Sequence, residues 1–315
     1  MIVVVLLMSS PMTSAETLYG LLTIPQDNYN CTQQIQILNP ANANFTVLME
    51  FNEAVPEDGG SKCTTVDNKN NIMYSIFTTN GGGLGPILKS YLYTIDLKTQ
   101  KVISRRVISK APLTYMFVEV DYNTNTGNLN LVVYNYLTSE LTTGHLTLTG
   151  LDIVVYDKVH FDSSNIINVA AGYYPPENLY MVYYQSDTNP TKTNPLKMYN
   201  ATSGKVVRSV TQKDFITTMQ YMPYYPGTMV LGASGEISLM DVVTGNAKPL
   251  VWTDTLLLYT NQAVGESTIY LSAQSADVYS IDYLITVDVT TTPPTIVHNV
   301  TSAGYYYDQL IVSLN

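Results

Sequence analysis

Short apolar runs alternate with polar turn clusters along nearly the whole chain, and within the runs the alternation has a period of two. Such a period sends successive side chains to opposite faces of a strand. Six stretches read as the same strand–turn–strand unit: Thr64–Phe77, Phe117–Tyr134, Asn168–Tyr184, Thr218–Ala233, Tyr259–Ala273 and Ser302–Leu314. Their starts lie roughly 40 to 53 residues apart, a spacing that marks a repeat array. A second hairpin follows most of them, with the form apolar–x–apolar–(Asp/Asn)–x–x–(Thr/Gly)–x–Val. It is clearest at Leu92–Val107, Leu196–Val210, Ile237–Val251 and Leu284–Val297, and weaker at Leu146–Val155. In the clear copies Asp96, Asn200, Asp241 or Asp288 ends a strand. Asp and Asn suit that place because their side chains bond the local backbone and tolerate left-handed geometry.

Two hairpins per repeat make a four-stranded sheet, and an array of such sheets is a β-propeller. The last unit, Ser302–Leu314, has no second hairpin after it. Gln36–Phe51 carries the second-hairpin pattern with no first hairpin before it. The expectation is an all-β chain, a propeller of about six four-stranded blades over residues 16–315 as one domain, with a closing blade shared by N- and C-terminal strands. Joining the ends in one sheet removes exposed edges. Five or seven blades remain compatible with the long loops Asn80–Pro86 and Asn189–Pro195, and a pair of β-sandwiches is the competing architecture. The hairpins resemble those of secreted and periplasmic propellers that carry an Ile-Asp-x-x-Thr-Gly-x-Val turn. This is a resemblance of architecture, without the repeated Trp-Asp or Ser-x-Asp-x-Gly-x-x-Trp signatures that mark particular propeller families.

Composition agrees with strands. Of 315 residues 26 are Tyr, and only 13% are charged; Thr, Asn, Ser and Tyr fill polar positions that Glu, Lys and Arg would fill in helices. The formal net charge of −10 offers no basic footprint for nucleic acid or anionic lipid. Met1–Ala15 has an apolar run and a small-residue exit, as a secretory signal peptide does. Sequons at Asn30, Asn44, Asn200 and Asn299 are acceptors for N-glycosylation. The two cysteines, Cys31 and Cys63, are compatible with one disulfide tying the closing blade to the next, worth roughly 2–4 kcal/mol. No later apolar run is long enough to span a membrane. These features together predict a secreted, extracellular protein, or one in the lumen of the secretory or endolysosomal pathway.

Candidate chemistry is sparse. The Asp121–Gly127 stretch loosely follows the oxygen-ligand alternation of a calcium loop, but its Gly falls one place late and Val132 stands where the closing Glu belongs. It reads as an Asx-rich hairpin turn, like Asp67–Asn71. His145, His160 and His298 lack metal-ligand spacing, so no zinc site is expected. The Gly81–Pro86 run lacks the context of a phosphate cradle and reads as an exposed loop. Tyrosines recur near the first strand of several units, at Tyr173 and Tyr174, Tyr224 and Tyr225, and Tyr305 and Tyr306. If they share one face, they offer amphipathic contact area for a protein or glycan partner; otherwise part of each pair packs between blades. With no catalytic constellation and no expected cofactor, the leading reading is a binding or interaction module. The alternative is a propeller hydrolase of the lactonase or arylesterase type with a central calcium held by Asp and Asn from several blades.

Overall fold

A computed structural model describes residues 16–25, 31–51, 63–80, 88–108, 115–135, 137–160, 166–186, 194–212, 215–233, 236–252, 257–275, 282–302 and 309–314. In chain order, β1 (Glu16–Pro25), β2 (Cys31–Leu38) and β3 (Phe45–Phe51) are followed by four strands of a second sheet, β4 (Thr64–Asp67), β5 (Ile72–Asn80), β6 (Leu88–Asp96) and β7 (Lys101–Val107). The third sheet holds β8 (Tyr115–Tyr122), β9 (Leu129–Asn135), β10 (Glu140–Leu146) and β11 (Ile153–His160), and the fourth β12 (Ile166–Tyr174), β13 (Leu179–Ser186), β14 (Asn194–Asn200) and β15 (Val206–Gln212). The fifth is β16 (Thr218–Tyr221), β17 (Thr228–Ala233), β18 (Glu236–Asp241) and β19 (Ala247–Trp252); the sixth is β20 (Leu257–Val264), β21 (Thr268–Ser275), β22 (Asp282–Asp288) and β23 (Thr295–Ser302). The final strand, β24 (Gln309–Leu314), pairs with β1, so the remaining sheet runs β24-β1-β2-β3.

The six sheets close into a ring. The innermost strands β24, β4, β8, β12, β16 and β20 each pack against the next around an axis, and β20 meets β24 to complete the circle. The chain is therefore a six-bladed β-propeller whose closing blade joins both ends of the described chain. One detail of the sequence reading needs correction. Ser302–Leu314 supplies a single strand rather than a hairpin, and the N-terminal side supplies three, because β1 precedes the β2–β3 hairpin. The reason lies in burial. Leu18 and Leu22 pack toward the sixth blade while Tyr19 and Leu21 pack toward the second. A strand covered on both faces reads as an unbroken apolar run, without the period of two that marks a half-buried strand.

The core is divided into six clusters, one for each junction between neighbouring blades. Phe117, Leu129, Leu131 and Leu146 of the third blade meet Ile76 and Leu92 of the second, for example, and Met181, Met198, Met219, Met229 and Met240 fill the junction of the fourth and fifth. Unbranched, polarisable Met adapts to the wedge between two twisted sheets. In every blade the register slips by one residue between the third strand and the outermost one, as at Thr94/Ile95, Met198/Tyr199 and Thr286/Val287. The bulge falls on outer strands that expose β-branched pairs such as Val102 and Ile103 or Val206 and Val207. A bulged, strongly twisted edge is a poor template for another strand, which blunts the aggregation hazard of those apolar residues.

The Asp/Asn turns work as their chemistry predicts. Asp96, Asn200 and Asp241 each accept two backbone N–H groups of the following turn on Oδ1, at 2.6–3.2 Å. Left-handed residues complete these turns at Gln100 (φ 55°), Gly204 (φ 70°) and Gly245 (φ 74°). In the weak copy Thr147 takes the Asp/Asn place, and its Oγ1 accepts the Asp152 N–H at 3.1 Å. The third-to-fourth strand turn is tied to the first-to-second strand turn of its own blade by one backbone bond: Leu97 N–H to Asn71 O, Ala201 N–H to Asn178 O, Val242 N–H to Gly227 O and Val289 N–H to Ser267 O. These paired turns form one rigid face of the propeller.

Candidate functional site

Polar side chains collect along the axis because every innermost strand carries at least one: Thr64 and Thr65 on β4, Glu119 and Asp121 on β8, Asn168 on β12, Thr218 and Gln220 on β16, Gln262 on β20 and Gln309 on β24. Several stitch one blade to another. Gln309 Oε1 accepts the Thr64 N–H at 3.0 Å while its Nε2 donates to Thr64 O at 2.7 Å. The Tyr122 N–H donates to Thr65 Oγ1 at 2.9 Å. Gln220 Nε2 donates to Gln262 O at 3.0 Å, Gln262 Nε2 to Val230 O at 3.1 Å, and Asn168 Nδ2 to Ile216 O. Short innermost strands leave backbone groups without a sheet partner, and the amides supply one.

Two connected spaces lie on this axis. A cavity of about 200 Å³ opens on the turn face, lined among others by Thr65, Asn68, Tyr122, Thr124, Tyr173 and Tyr221. Beneath it, a chamber of about 20 Å³ is bounded by Glu119, Asp121, Thr218, Gln220, Gln262 and Gln309. Asp121, Gln220 and Gln309 line both. Neither lining contains Lys, Arg or His, so the axis is acidic and amide-rich.

The aromatic rim is fixed by packing. Tyr122 stacks on Tyr74 with ring centroids 5.6 Å apart, and Tyr221 meets Tyr174 edge-on at 5.3 Å. Burial, then a hydrogen bond with Asp67, pushes the Tyr122 hydroxyl far above its ordinary range. Tyr173 donates its hydroxyl to Asn178 Oδ1 at 3.0 Å, and burial raises its pKa too. The Tyr122 and Tyr173 phenols stay neutral at any physiological pH.

The residues singled out from sequence fall in different places. Tyr173 and Tyr174 end β12 and are buried, with Tyr173 reaching the axial cavity. Tyr224 is 44% exposed in the β16–β17 turn, against a half-buried Tyr225. Tyr305 and Tyr306 lie outside the described residues, between β23 and β24 in sequence, whereas Tyr224 and Tyr225 follow their innermost strand. Asn123 Oδ1 accepts the N–H groups of Asn125 and Thr126 at 3.0 and 3.1 Å, with Gly127 left-handed (φ 70°). Asp67 does the same for Lys69 and Asn70. Both are hairpin turns, as their composition suggests.

Asn44 and Asn299 are exposed, Asn200 is half-buried with Oδ1 engaged in its turn, and Asn30 lies outside the described residues. So do residues 1–15 and Gly81–Pro86. Cys63 is buried against Phe117 and Leu92, on the face its blade turns to the third blade, while Cys31 opens β2 of the closing blade on the opposite side. No disulfide is present among the described residues, and the side chain of Cys31 lies outside them. His145 is buried between the third and fourth blades. Tyr156 donates its hydroxyl to Ala201 O at 2.6 Å, so His145 Nδ1 donates to the Tyr156 oxygen at 2.7 Å. His160 is exposed and His298 half-buried on outer strands. Among the described residues, no three His, Cys, Asp or Glu side chains gather in one place, and no helix is long and apolar enough to cross a membrane.

Sequence reading missed the axial set, above all Glu119, Gln220, Gln262 and Gln309. The signal was a polar residue inside the first strand of each repeat, at a position where a strand buried on both faces should be apolar.

Fold and site together define a six-bladed propeller with an acidic, amide-lined axis and a tyrosine-rimmed mouth. Among solved structures, the chain is similar to TolB from Acinetobacter baumannii (TM-score 0.62, 13% identity), over 94% of this chain and 66% of that one. It thus spans about two thirds of that TolB chain. It is also similar to a chain of a nidogen/laminin complex (TM-score 0.58, 8% identity, 95% and 98% covered) and to a putative TolB from Agrobacterium tumefaciens (0.57, 9%, 95% and 98%). At these identities the likeness is one of fold. No protein-family model and no curated protein matches the chain.

Proposed function

We propose that this propeller is an interaction module that binds a segment of another polypeptide at the axial mouth, and that it does so as an exported, N-glycosylated protein. The observation that carries the reading is the mouth itself: a 200 Å³ depression rimmed by Tyr122, Tyr173 and Tyr221 and framed by rigid turns. It is small for a drug-sized ligand, which usually fills roughly 300–1,000 Å³. It suits one inserted side chain or a chain terminus, with the surrounding turn face supplying the remaining contact area. Fixed aromatic rings give large contact at low entropic cost. Asp121 in the lining and a net charge of −10 favour an inserted segment that carries Lys or Arg. Exposed Asn44 and Asn299 are compatible with glycans that leave the mouth open. That one similar structure is a nidogen/laminin complex is in keeping with this reading without carrying it.

The test is peptide-display selection against the purified chain, with Thr124→Arg as the control. Thr124 is exposed and lines the mouth, so the bulky cation blocks it without touching the core. Selected peptides should bind the parent chain, be enriched in Lys or Arg, and lose at least tenfold in affinity against the variant. Peptides indifferent to the variant, or selective binding of glycans on an array, would overturn the reading. The hydrolase alternative draws on Glu119 and Asp121 beneath the mouth; turnover of a lactone or aryl ester panel, abolished by Asp121→Asn, would establish it instead.

A further inference from the structure

We propose that the outer face of the second blade docks an acidic, partly apolar segment of a partner polypeptide. Charge is divided unevenly along this chain. Residues 62–110, which hold the second blade, carry 8 of the 15 Lys and Arg but only 2 of the 25 Asp and Glu. Eight less two leaves +6 for this stretch, and seven less 23 leaves −16 for everything else, in agreement with the formal −10 of the whole. No Lys or Arg stands before residue 62 or after residue 248. The second blade is a basic island on an acidic ring.

Six of its cations lie among the described residues, and all six are exposed: Lys69, Lys89, Lys98, Lys101, Arg105 and Arg106. Lys69 and Lys98 sit in the paired turns, and Lys101, Arg105 and Arg106 follow along β7. A basic strip therefore runs from the turn face down about 20 Å of the outermost strand. Both acids of the stretch are tied into its turns, Asp67 Oδ1 by the Lys69 N–H and Asp96 Oδ1 by the Lys98 N–H. The arginines are set in place in advance. Arg105 lies 3.8 Å over the Tyr91 ring and donates from Nε to the Tyr93 hydroxyl at 2.7 Å. Arg106 donates to Leu148 O and Thr149 O at 2.6 and 2.8 Å. A guanidinium already fixed in its plane loses little freedom on meeting a carboxylate.

Apolar exposure by itself singles out no blade, since the outer strands of five blades share it. What sets β7 apart is that Val102, Ile103 and Val107, 43%, 58% and 48% exposed, are interleaved with three cations in seven residues. The apolar residues of β23 have no Asp, Glu, Lys or Arg on their strand, and Glu50 is the only charge on β3. On β11 the charges are paired off, Lys158 with Glu140 and Asp157 with Lys197, each at 2.7 Å. The pattern on β7 selects its occupant. Carboxylates meet the cations, while branched apolar side chains offer contact that a purely anionic polymer cannot use. The slip at Thr94/Ile95 breaks regular pairing along this edge, so side chains carry the contact rather than an added strand. The acidic remainder of the ring repels an acidic segment from other faces and steers it to this one.

The test is display selection of short random peptides on the full parent chain, with counter-selection on a chain carrying Lys69→Glu, Lys98→Glu and Lys101→Glu. Selected peptides should be rich in Asp and Glu with Val, Leu or Ile between them. Their affinity should fall at least about tenfold against the triple variant and weaken as salt rises. A Val102→Thr, Ile103→Thr chain, which keeps β-branched residues on the strand, should bind them several-fold less tightly. Thr124→Arg should leave their affinity unchanged, which separates this surface from the mouth. Failure to recover acidic peptides overturns the proposal, as does equal binding by the triple variant. Binding of heparin that ignores the Val102 and Ile103 changes, with no peptide selected, would assign the strip to a sulfated polysaccharide instead. Salt-sensitive dimerisation of the parent, lost in the triple variant, would assign it to a second copy. Should the triple variant fail to fold, Lys98→Gln with Lys101→Gln takes its place, with a smaller loss in the same direction expected.

Discussion

Deleting residues 309–315 removes β24 and nothing else of the described fold, and its effect can be worked from the structure. Leu310 is fully buried, and Ile311 and Val312 are 8% and 9% exposed. Leu310 and Val312 belong to the cluster between the sixth and closing blades, Ile311 to that between the closing and second blades. At about 2 kcal/mol for each such side chain, their burial contributes about 6 kcal/mol, and the paired bonds of Gln309 to the Thr64 backbone add about 2 kcal/mol. The deletion also strips β1 of its partner and opens a junction on each side. A loss of about 8 kcal/mol is comparable with the whole stability of an ordinary domain. Urea unfolding followed by circular dichroism should show the midpoint lowered by roughly 2–3 M, or no folded baseline at all. The lost structure should return when a synthetic QLIVSL strand is added. A truncated chain unfolding within about 0.3 M of the parent, with an unchanged slope, would refute closure by β24.

Three smaller perturbations follow from the same geometry. At Gly172 on β12 an added Cβ would stand 2.5 Å from Met219 O on β16; Gly172→Ala must push two innermost strands apart and should cost about 2–3 kcal/mol in chemical denaturation, whereas Gly227→Ala, with open space around it, should cost about 1 kcal/mol through its left-handed φ alone. Asn123→Ala abandons two turn N–H groups and should lower stability by about 1–2 kcal/mol with and without calcium; recovery of that loss by calcium would mean that the turn is a metal loop after all. Burial depresses the pKa of His145, so the folded chain prefers the neutral ring. The stability this contributes is intact above the unfolded-state pKa of about 6.5 and is lost as pH falls through the lower folded value. His145→Gln should therefore flatten the decline of Tm below about pH 6.5, and an unchanged pH profile would contradict the assignment.

The repeat was legible in the sequence because it is written in residues whose chemistry is local. Asp96, Asn200 and Asp241 bond their own turns, so their effect needs no knowledge of the rest of the fold, and the outer hairpins they close have one wet face that preserves alternation. The innermost and second strands obey a different physics. Leu18, Tyr19, Leu21 and Leu22 divide between two junctions, and β1 vanishes into a run of apolar residues that adjoins the signal-like N-terminus. The tyrosine pairs divide for a related reason: Tyr173 and Tyr174 recur beside a turn as Tyr224 and Tyr225 do, yet the first pair ends a longer innermost strand and is buried, while Tyr224 is exposed.

 The lengths bear this out, since β12 runs for 9 residues and β16 for 4.

The axial site was hidden for a deeper reason than distance along the chain. Glu119, Thr218, Gln262 and Gln309 come from four different blades, and nothing near any of them in sequence says that they meet. What a single repeat does betray is the anomaly: a buried polar residue in the strand nearest the axis, where packing alone would select Val or Leu. Gln220 and Gln309 resolve the anomaly structurally, by bonding the backbone of the neighbouring blade. Thr218 Oγ1 and Gln262 Oε1 do not: both are buried with no hydrogen-bond partner. Stability alone favours replacing such groups with apolar ones of similar shape.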